Sequence, residues 1–347
     1  NWNLAVERQL PQNILLRVAY VGSHSSHLTE TLNLNPRPVG NASAPNRLNA
    51  IAATVVTPFP GCTVTNCPLF STVQQDLQDI NANYNSLQLS AERRMTKGLM
   101  ILANYTWSKS LDDLPPRAGV TGFDNSSALP WDDANRHRFD YGPSEFDHTH
   151  RFVASYVWEL PALKNSSGLV RGVLGGWQLT GLVQAQTGRP VTVEQGADIS
   201  RTGIGRDRGT FTGADPYASG PCAGVAFCQL WLNRAAFEPT TIPNPANPAG
   251  PQIPNPRITN TFGNVGKGSL RFPGFYGWDM GLSKNFAITE RLKLQLRAEY
   301  FNIFNHVNFL GDEGTVNNAS TFSNGNFATL RTAMDPRIGQ LALKFIF

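Results

Sequence analysis

Arg337–Phe347, RIGQLALKFIF, carries apolar side chains at every second position. Leu341, Leu343, Phe345 and Phe347 fall on one face of an extended chain, and Gln340, Ala342 and Lys344 on the other. Strand geometry sends successive side chains to opposite sides, so this spacing predicts a strand with one apolar and one polar face. The chain stops there, on aromatic residues. Termini of soluble domains usually fray into water. A face that meets hydrocarbon would account for such an ending.

The same alternation recurs through the chain. Trp2, Leu4 and Val6 alternate with Asn3, Glu7 and Gln9. Leu10-Pro11-Gln12-Asn13 turns, proline supplying its fixed φ. Ile14, Leu16, Val18 and Tyr20 mark the return strand over 14–22. Further strands are predicted over 84–93 (Leu87, Leu89, Ala91) and 99–108 (Leu99, Ile101, Ala103, Tyr105, Trp107), joined by a turn over 94–98. Residues 150–160 show Phe152, Ala154, Tyr156 and Trp158 on one side, with Val153 and Val157 on the other. Residues 176–187 alternate Trp177, Leu179, Gly181, Val183 and Ala185 with glutamines and threonines. Trp278, Met280 and Leu282 lead to a turn over 287–290, and Arg291 to Ile303 returns, with Leu292, Leu294, Leu296, Ala298 and Tyr300 on one face. The expectation is about nine antiparallel strands in an up-and-down meander.

The connections alternate between short and long. The longest, 188–275, is expected to hold extra hairpins, for example around Pro190–Glu194. Short turns on one side and long loops on the other are the asymmetry of a transmembrane β-barrel of outer-membrane type. An open meander in lipid would leave costly unpaired edges, so further strands are expected to complete the barrel. Residue 1 already lies inside a patterned segment. The chain, 1–347, therefore reads as the C-terminal portion of a longer protein whose earlier strands lie upstream.

Composition is compatible with this reading. The charged fraction is 16%, aromatics make up 10%, and 31 Gly and 24 Pro favour turns over long helices. The mean hydropathy of −0.25 fits a barrel whose strands are apolar on one face only. No run of about 18 apolar residues predicts a transmembrane helix. A net charge of +4 without a basic cluster argues against nucleic acid as a partner. Cys62 with Cys67 and Cys222 with Cys228 form two local pairs in irregular stretches. They are expected as disulfides of an oxidising compartment, the alternative being a loosely spaced zinc site.

Parity also sorts the aromatics. With long loops outside, Trp2, Tyr20, Trp107, Trp278 and Tyr300 fall on the apolar face near the outer interface. Trp158, Trp177, Phe286 and Phe347 fall near the inner one, the expected pair of aromatic girdles. The opposite face, with Gln88, Glu92, Asn104, Thr106, Gln178, Gln184, Lys293, Gln295, Arg297 and Glu299, is expected to line a wet lumen or contact a plug.

Several stretches together carry a family likeness: NWNLAVERQLPQNILLRVAYVGSHSSHL, YNSLQLSAERRMTKGLMILANYTWSKSLDD, FDHTHRFVASYVWELP, GGWQLTGLVQAQTGRPVTV, FPGFYGWDMGLSKNFAITERLKLQLRAEYFNIFNHVNF and the terminal strand. The chain resembles the C-terminal part of a TonB-dependent outer-membrane receptor, of the Oar-like branch with a carboxypeptidase-regulatory-like domain. The resemblance implies a barrel of about 22 strands around an N-terminal plug. It implies TonB-energised uptake of a large or scarce ligand across the outer membrane, with no enzymatic activity and no cofactor. TonB would act through the part of the protein preceding residue 1. Gln340, Phe345 and Phe347 resemble the signal read by the barrel-assembly machinery, with Ala342 where glycine is usual.

Other chemistry is weakly supported. His24 with His27, and His148 with His150, have no matching third metal ligand. Asp112, Asp113, Asp132 and Asp133 lack the spacing of a calcium loop and are expected to be a solvated acidic loop. In Gly263–Ser269 the lysine precedes glycine, unlike a phosphate loop. Competing functions are a passive porin or adhesin on the same barrel, and a secreted β-rich binding module. The last would need clustered carboxylates if it acted on glycans. Ligand recognition is expected in 22–83, 111–148 and 188–275.

Overall fold

The computed structural model describes residues 1–41, 73–116, 127–161, 168–204, 207–248, 250–289, 292–310 and 326–346. Nine long strands form one antiparallel sheet in chain order: β1 (Trp2–Leu10), β2 (Ile14–Asn33), β3 (Gln74–Thr96), β4 (Leu99–Asp112), β5 (His150–Glu159), β6 (Trp177–Gln186), β7 (Phe275–Ala287), β8 (Lys293–Phe301) and β9 (Ile338–Ile346). Each pairs with its neighbour in sequence, and a short strand at Gly142–Pro143 adds beside the end of β4. The outer strands β1 and β9 do not pair with each other, so the sheet is an open portion of a barrel wall.

At one end the connections are tight. Lys97 and Gly98 join β3 to β4 with φ of +52° and +78°, as a two-residue type I′ hairpin requires. A Cβ on Gly98 would stand 2.7 Å from the Glu159 carbonyl oxygen, so glycine is also needed for the approach of β5. Pro11–Asn13 closes the β1–β2 hairpin, with Gln12 and Asn13 in the left-handed region. The β5–β6 connection carries α1 (Gly168–Leu174).

At the other end the connections are long and structured. The β2–β3 hairpin continues past the apolar rows, with β2 reaching Asn33 and β3 starting at Gln74. The sequence predicts the return strand only over 14–22. Ser23–Ser26 and Gln74–Asp79 alternate no apolar residues, yet backbone pairing carries the ladder through them with a register shift between Ser25 and Leu28. The expected hairpin near Pro190 takes a different form: Pro190–Val191 pairs with the distant Leu270–Arg271.

The main hydrophobic core lies in these connections and not behind the sheet. Val193, Trp231, Leu232, Phe237, Val265 and Phe327 are its centre. Trp231 stacks on Phe272 at 4.2 Å between ring centroids, and Phe237 meets Phe327 edge-on at 5.4 Å. Segments of the β6–β7 and β8–β9 connections thus pack into one crown. Cys222 and Cys228 are joined in a disulfide on it. Cys62 and Cys67 lie outside the described residues.

Candidate functional site

The register assigns every strand residue to a face. One row runs Leu4, Tyr20, Leu87, Trp107 and His150 across β1 to β5. Another runs Ile101, Tyr156, Gly181, Met280, Tyr300 and Gly339 across β4 to β9. Leu294 stands opposite Phe345, and Leu296 opposite Leu343. All of these share one face, so a single apolar surface extends over nine strands. Among the described residues most of it lies bare: Trp107 is 54% exposed and Leu341 79%. Such a continuous apolar surface is far more than a soluble monomer leaves bare.

The aromatics singled out by parity lie on this face. Trp2, Tyr20, Trp107, Trp278 and Tyr300 stand toward the long connections. Trp158, Trp177 and Phe286 stand toward the short turns. Phe347 lies outside the described residues. Two of these rings are tied by their polar atoms: the Tyr20 hydroxyl donates to Asn85 Oδ1 at 2.6 Å, and Trp278 Nε1 donates to the Tyr156 hydroxyl at 3.2 Å.

Gln88, Glu92, Asn104, Thr106, Gln178, Gln184, Lys293, Gln295, Arg297 and Glu299 fall together on the opposite face. Side-chain contacts within and between strands knit this surface. Gln295 Nε2 donates to Asn285 Oδ1 at 3.0 Å, and Glu299 accepts from Gln340 and pairs with Arg297. Aliphatic side chains interrupt it at Val153 and Val157, as the sequence alternation indicated, and also at Leu102 and Leu182.

A cavity of about 590 Å³ opens between this polar face and the β8–β9 connection. Gln184, Asp279 and Phe301 line it from the strands, and Asn308, Met334 and Asp335 from the connection. Asp279 Oδ1 accepts from the Asn302 backbone N–H at 2.8 Å, and Asn308 brackets the Tyr276 backbone as both donor and acceptor. Asp279 occupies an ordinary polar position of an alternating strand, so periodicity alone does not single it out.

Buried ion pairs join the long connections to one another and to the wall. Arg136, in the short helix Arg136–Asp140, pairs with the fully buried Glu30 of β2 and with Asp79 of β3 at 2.7 Å. His137 reaches Asp113 at 2.9 Å and Asp79 at 3.3 Å. Arg208 pairs with Asp140 at 2.6 Å and lies 3.9 Å from the centre of the Phe139 ring. Lys267 pairs with Asp112, and Arg271 with Asp147. Asp112 and Asp113 are therefore buried and partnered, contrary to the expected solvated acidic loop. The cation that pairs with Asp112, Lys267, comes from a segment remote in sequence, beyond the reach of a local reading. Burial pushes the Asp140 carboxyl up and the Lys267 ammonium down, against the attraction of their partners. Burial also raises Asp207 to about 6, although its carboxylate accepts from the Ser200 backbone N–H at 2.7 Å.

The histidines are engaged separately. His24 contacts Asn83 at 2.8 Å, His148 the Thr187 carbonyl at 2.7 Å and His150 the Tyr105 hydroxyl at 2.8 Å. Among the described residues, no three His, Cys, Asp or Glu side chains are grouped to hold a metal ion.

A family model described as "Outer membrane beta barrel domain" matches residues 1–340. No curated protein matches the chain. Among solved structures, the outer membrane transporter YddB from Escherichia coli is similar at 9% identity and a TM-score of 0.46, covering 99% of this chain and 32% of that one. FpvA of Pseudomonas aeruginosa bound to a heterologous pyoverdine is similar at 11% identity and a TM-score of 0.37, covering 99% and 26%. The ferripyoverdine receptor of the Pseudomonas aeruginosa outer membrane, bound to ferripyoverdine, gives 12% and 0.37, again covering 99% and 26%. The chain spans about a third or less of the length of these structures.

Proposed function

The chain belongs to the outer-membrane β-barrel domain family, and on that premise we propose that it is the C-terminal part of a TonB-dependent receptor that takes up a large or scarce ligand. The apolar face meets lipid, and the polar face lines the lumen. The aromatic rows at the two levels sit in the two membrane interfaces, where amphipathic rings are favoured. Strands preceding residue 1 close the edges left by β1 and β9, since unpaired backbone in hydrocarbon is costly. A plug fills the lumen and couples to TonB. The terminal strand, with Gln340, Phe345 and Phe347, is read by the barrel-assembly machinery. Residues 1–347 act as one barrel segment, with no catalytic role.

The packed crown supports a receptor most. A passive pore needs only loops short enough to leave its mouth clear. Here the long connections bury their own aromatic core and are pinned to the wall by buried ion pairs. Rigid loops over a polar lumen give a shaped surface for recognition. In this reading the cavity lined by Asp279 and Phe301 on the polar face is available to a ligand in the lumen.

The test is conductance of the full-length protein in planar lipid bilayers. A plugged receptor holds the current closed and opens widely when the segment preceding the barrel is deleted. A steady open channel in the intact protein would support a porin instead.

A further inference from the structure

Lys284 breaks the apolar face. Its register partner is Trp177, so it belongs to the surface that carries Leu282, Leu296 and Phe286, yet it is only 3% exposed. A bare cation on the lipid side of a barrel is destabilising unless it lies near an interface or finds partners. Lys284 Nζ donates to the carbonyl oxygens of Val173 at 2.7 Å and Gly175 at 2.8 Å. The Trp177 indole N–H donates to the same Val173 oxygen at 3.0 Å. The Trp177 and Phe286 rings each have their centre 5.1 Å from Nζ.

These contacts locate α1. Both donors leave from the apolar face, so the C-terminal end of the helix rests against that face, at the level of the short turns. The unpaired carbonyls of a helix end carry partial negative charge, which a lysine complements. Two aromatic faces add cation–π attraction. The helix in turn presents Val173 and Leu174 outward, 57% and 59% exposed. This patch is continuous with the apolar surface of the wall through Trp177 and Phe286.

We propose that α1 is an interfacial helix, held outside the barrel wall by Lys284, with Val173 and Leu174 inserted among acyl chains at the short-turn side of the membrane. The occupant of the patch is lipid because the surface it continues is the lipid-facing band. A short helix with apolar residues outward and its polar end neutralised lies in the interface plane and does not cross it. The inference rests on the proposed assignment of the apolar face to lipid.

The test is nitroxide labelling of Leu174→Cys in the full-length protein, reconstituted in phosphatidylcholine vesicles. Collision with oxygen, which concentrates in the bilayer, is compared with collision with nickel ethylenediaminediacetate, which stays in water. Leu343→Cys is the lipid reference and Phe227→Cys, at a position 97% exposed on the crown, the aqueous one. The expected oxygen-to-nickel ratio at 174 is several-fold above that at 227 and approaches that at 343. A ratio like that at 227 overturns the proposal, as does exclusion of both reagents, which would mean that protein covers the patch. If 343 itself reports water, the lipid assignment fails and the proposal with it. Lys284→Met is expected to raise label mobility and nickel contact at 174 while leaving 343 unchanged. No change at 174 would overturn the pinning role. Val173→Cys serves in place of Leu174→Cys if the latter loses heat-modifiable migration.

Discussion

Ala103 and Asn104 are consecutive residues of β4 with opposite fates. Ala103 stands between Ala91 and Ala154 on the apolar face, and Asn104 between Ser90 and Val153 on the polar one. Replacing each in turn by arginine places the same charge on the two sides of one wall, a single residue apart. The row of alanines leaves space for the arginine stem, so overpacking contributes little at position 103. The penalty there is that of a guanidinium facing hydrocarbon near the middle of the strand, about 2–4 kcal/mol for a barrel residue near the midplane. With each 1.4 kcal/mol worth tenfold, the folded-to-unfolded ratio falls by about thirtyfold to about a thousandfold. At Asn104 the arginine enters a wet, polar surface, and the expected change is within about 0.5 kcal/mol. The assay is urea unfolding of the full-length protein in phosphatidylcholine vesicles, followed by tryptophan fluorescence. Equal penalties at both positions would mean that both faces are packed against protein. A larger penalty at Asn104 would reverse the two faces.

Three further outcomes follow from the crown and the turns. Asp207, raised to about 6 by burial from an ordinary value of 3.8, holds its proton more tightly folded than unfolded. Its contribution is therefore full below about pH 4 and is lost as pH rises through about 6, a change on the order of 3 kcal/mol. Hydrogen exchange in the crown should show local stability falling from pH 4 to pH 7, and Asp207→Asn should flatten that dependence. Arg136→Met leaves Glu30 buried without its cation and should cost about 3–5 kcal/mol; limited proteolysis should cut the β2–β3 extension while the rest of the wall stays protected. Gly98→Val forces a branched side chain into φ +78° and against the Glu159 carbonyl. That should cost at least about 2 kcal/mol, lowering the urea midpoint, whereas Lys97→Gly should leave it nearly unchanged.

The wall was legible in the sequence because its two sides face different surroundings. Leu87, Leu89, Tyr105 and Trp107 must be apolar, while Gln88, Asn104 and Thr106 need not be, so period two is written into the residues. The extension of β2 to Asn33 left no such mark. Its backbone pairs as well as the rest, but neither face is uniformly apolar, and Ser23 to Thr31 reads as a loop. The crown was hidden for a different reason. Its core joins Trp231 to Phe272 and Phe237 to Phe327, and its ion pairs join Asp112 to Lys267, across separations that no local period records. Lys284 is a cation at an apolar position of an alternating strand, and the sequence reading passed over it. The helix end that satisfies it became visible only in three dimensions.

The most direct measurement returns to the terminal strand. A photoreactive amino acid placed at Leu341, Leu343 or Phe345 of the full-length protein in native outer membrane should form lipid adducts on illumination, detectable by mass spectrometry. The same group at Gln340, Ala342 or Lys344 should form none. Adducts without that alternation, or alternating with the opposite phase, would contradict a wall whose apolar side is covered by hydrocarbon.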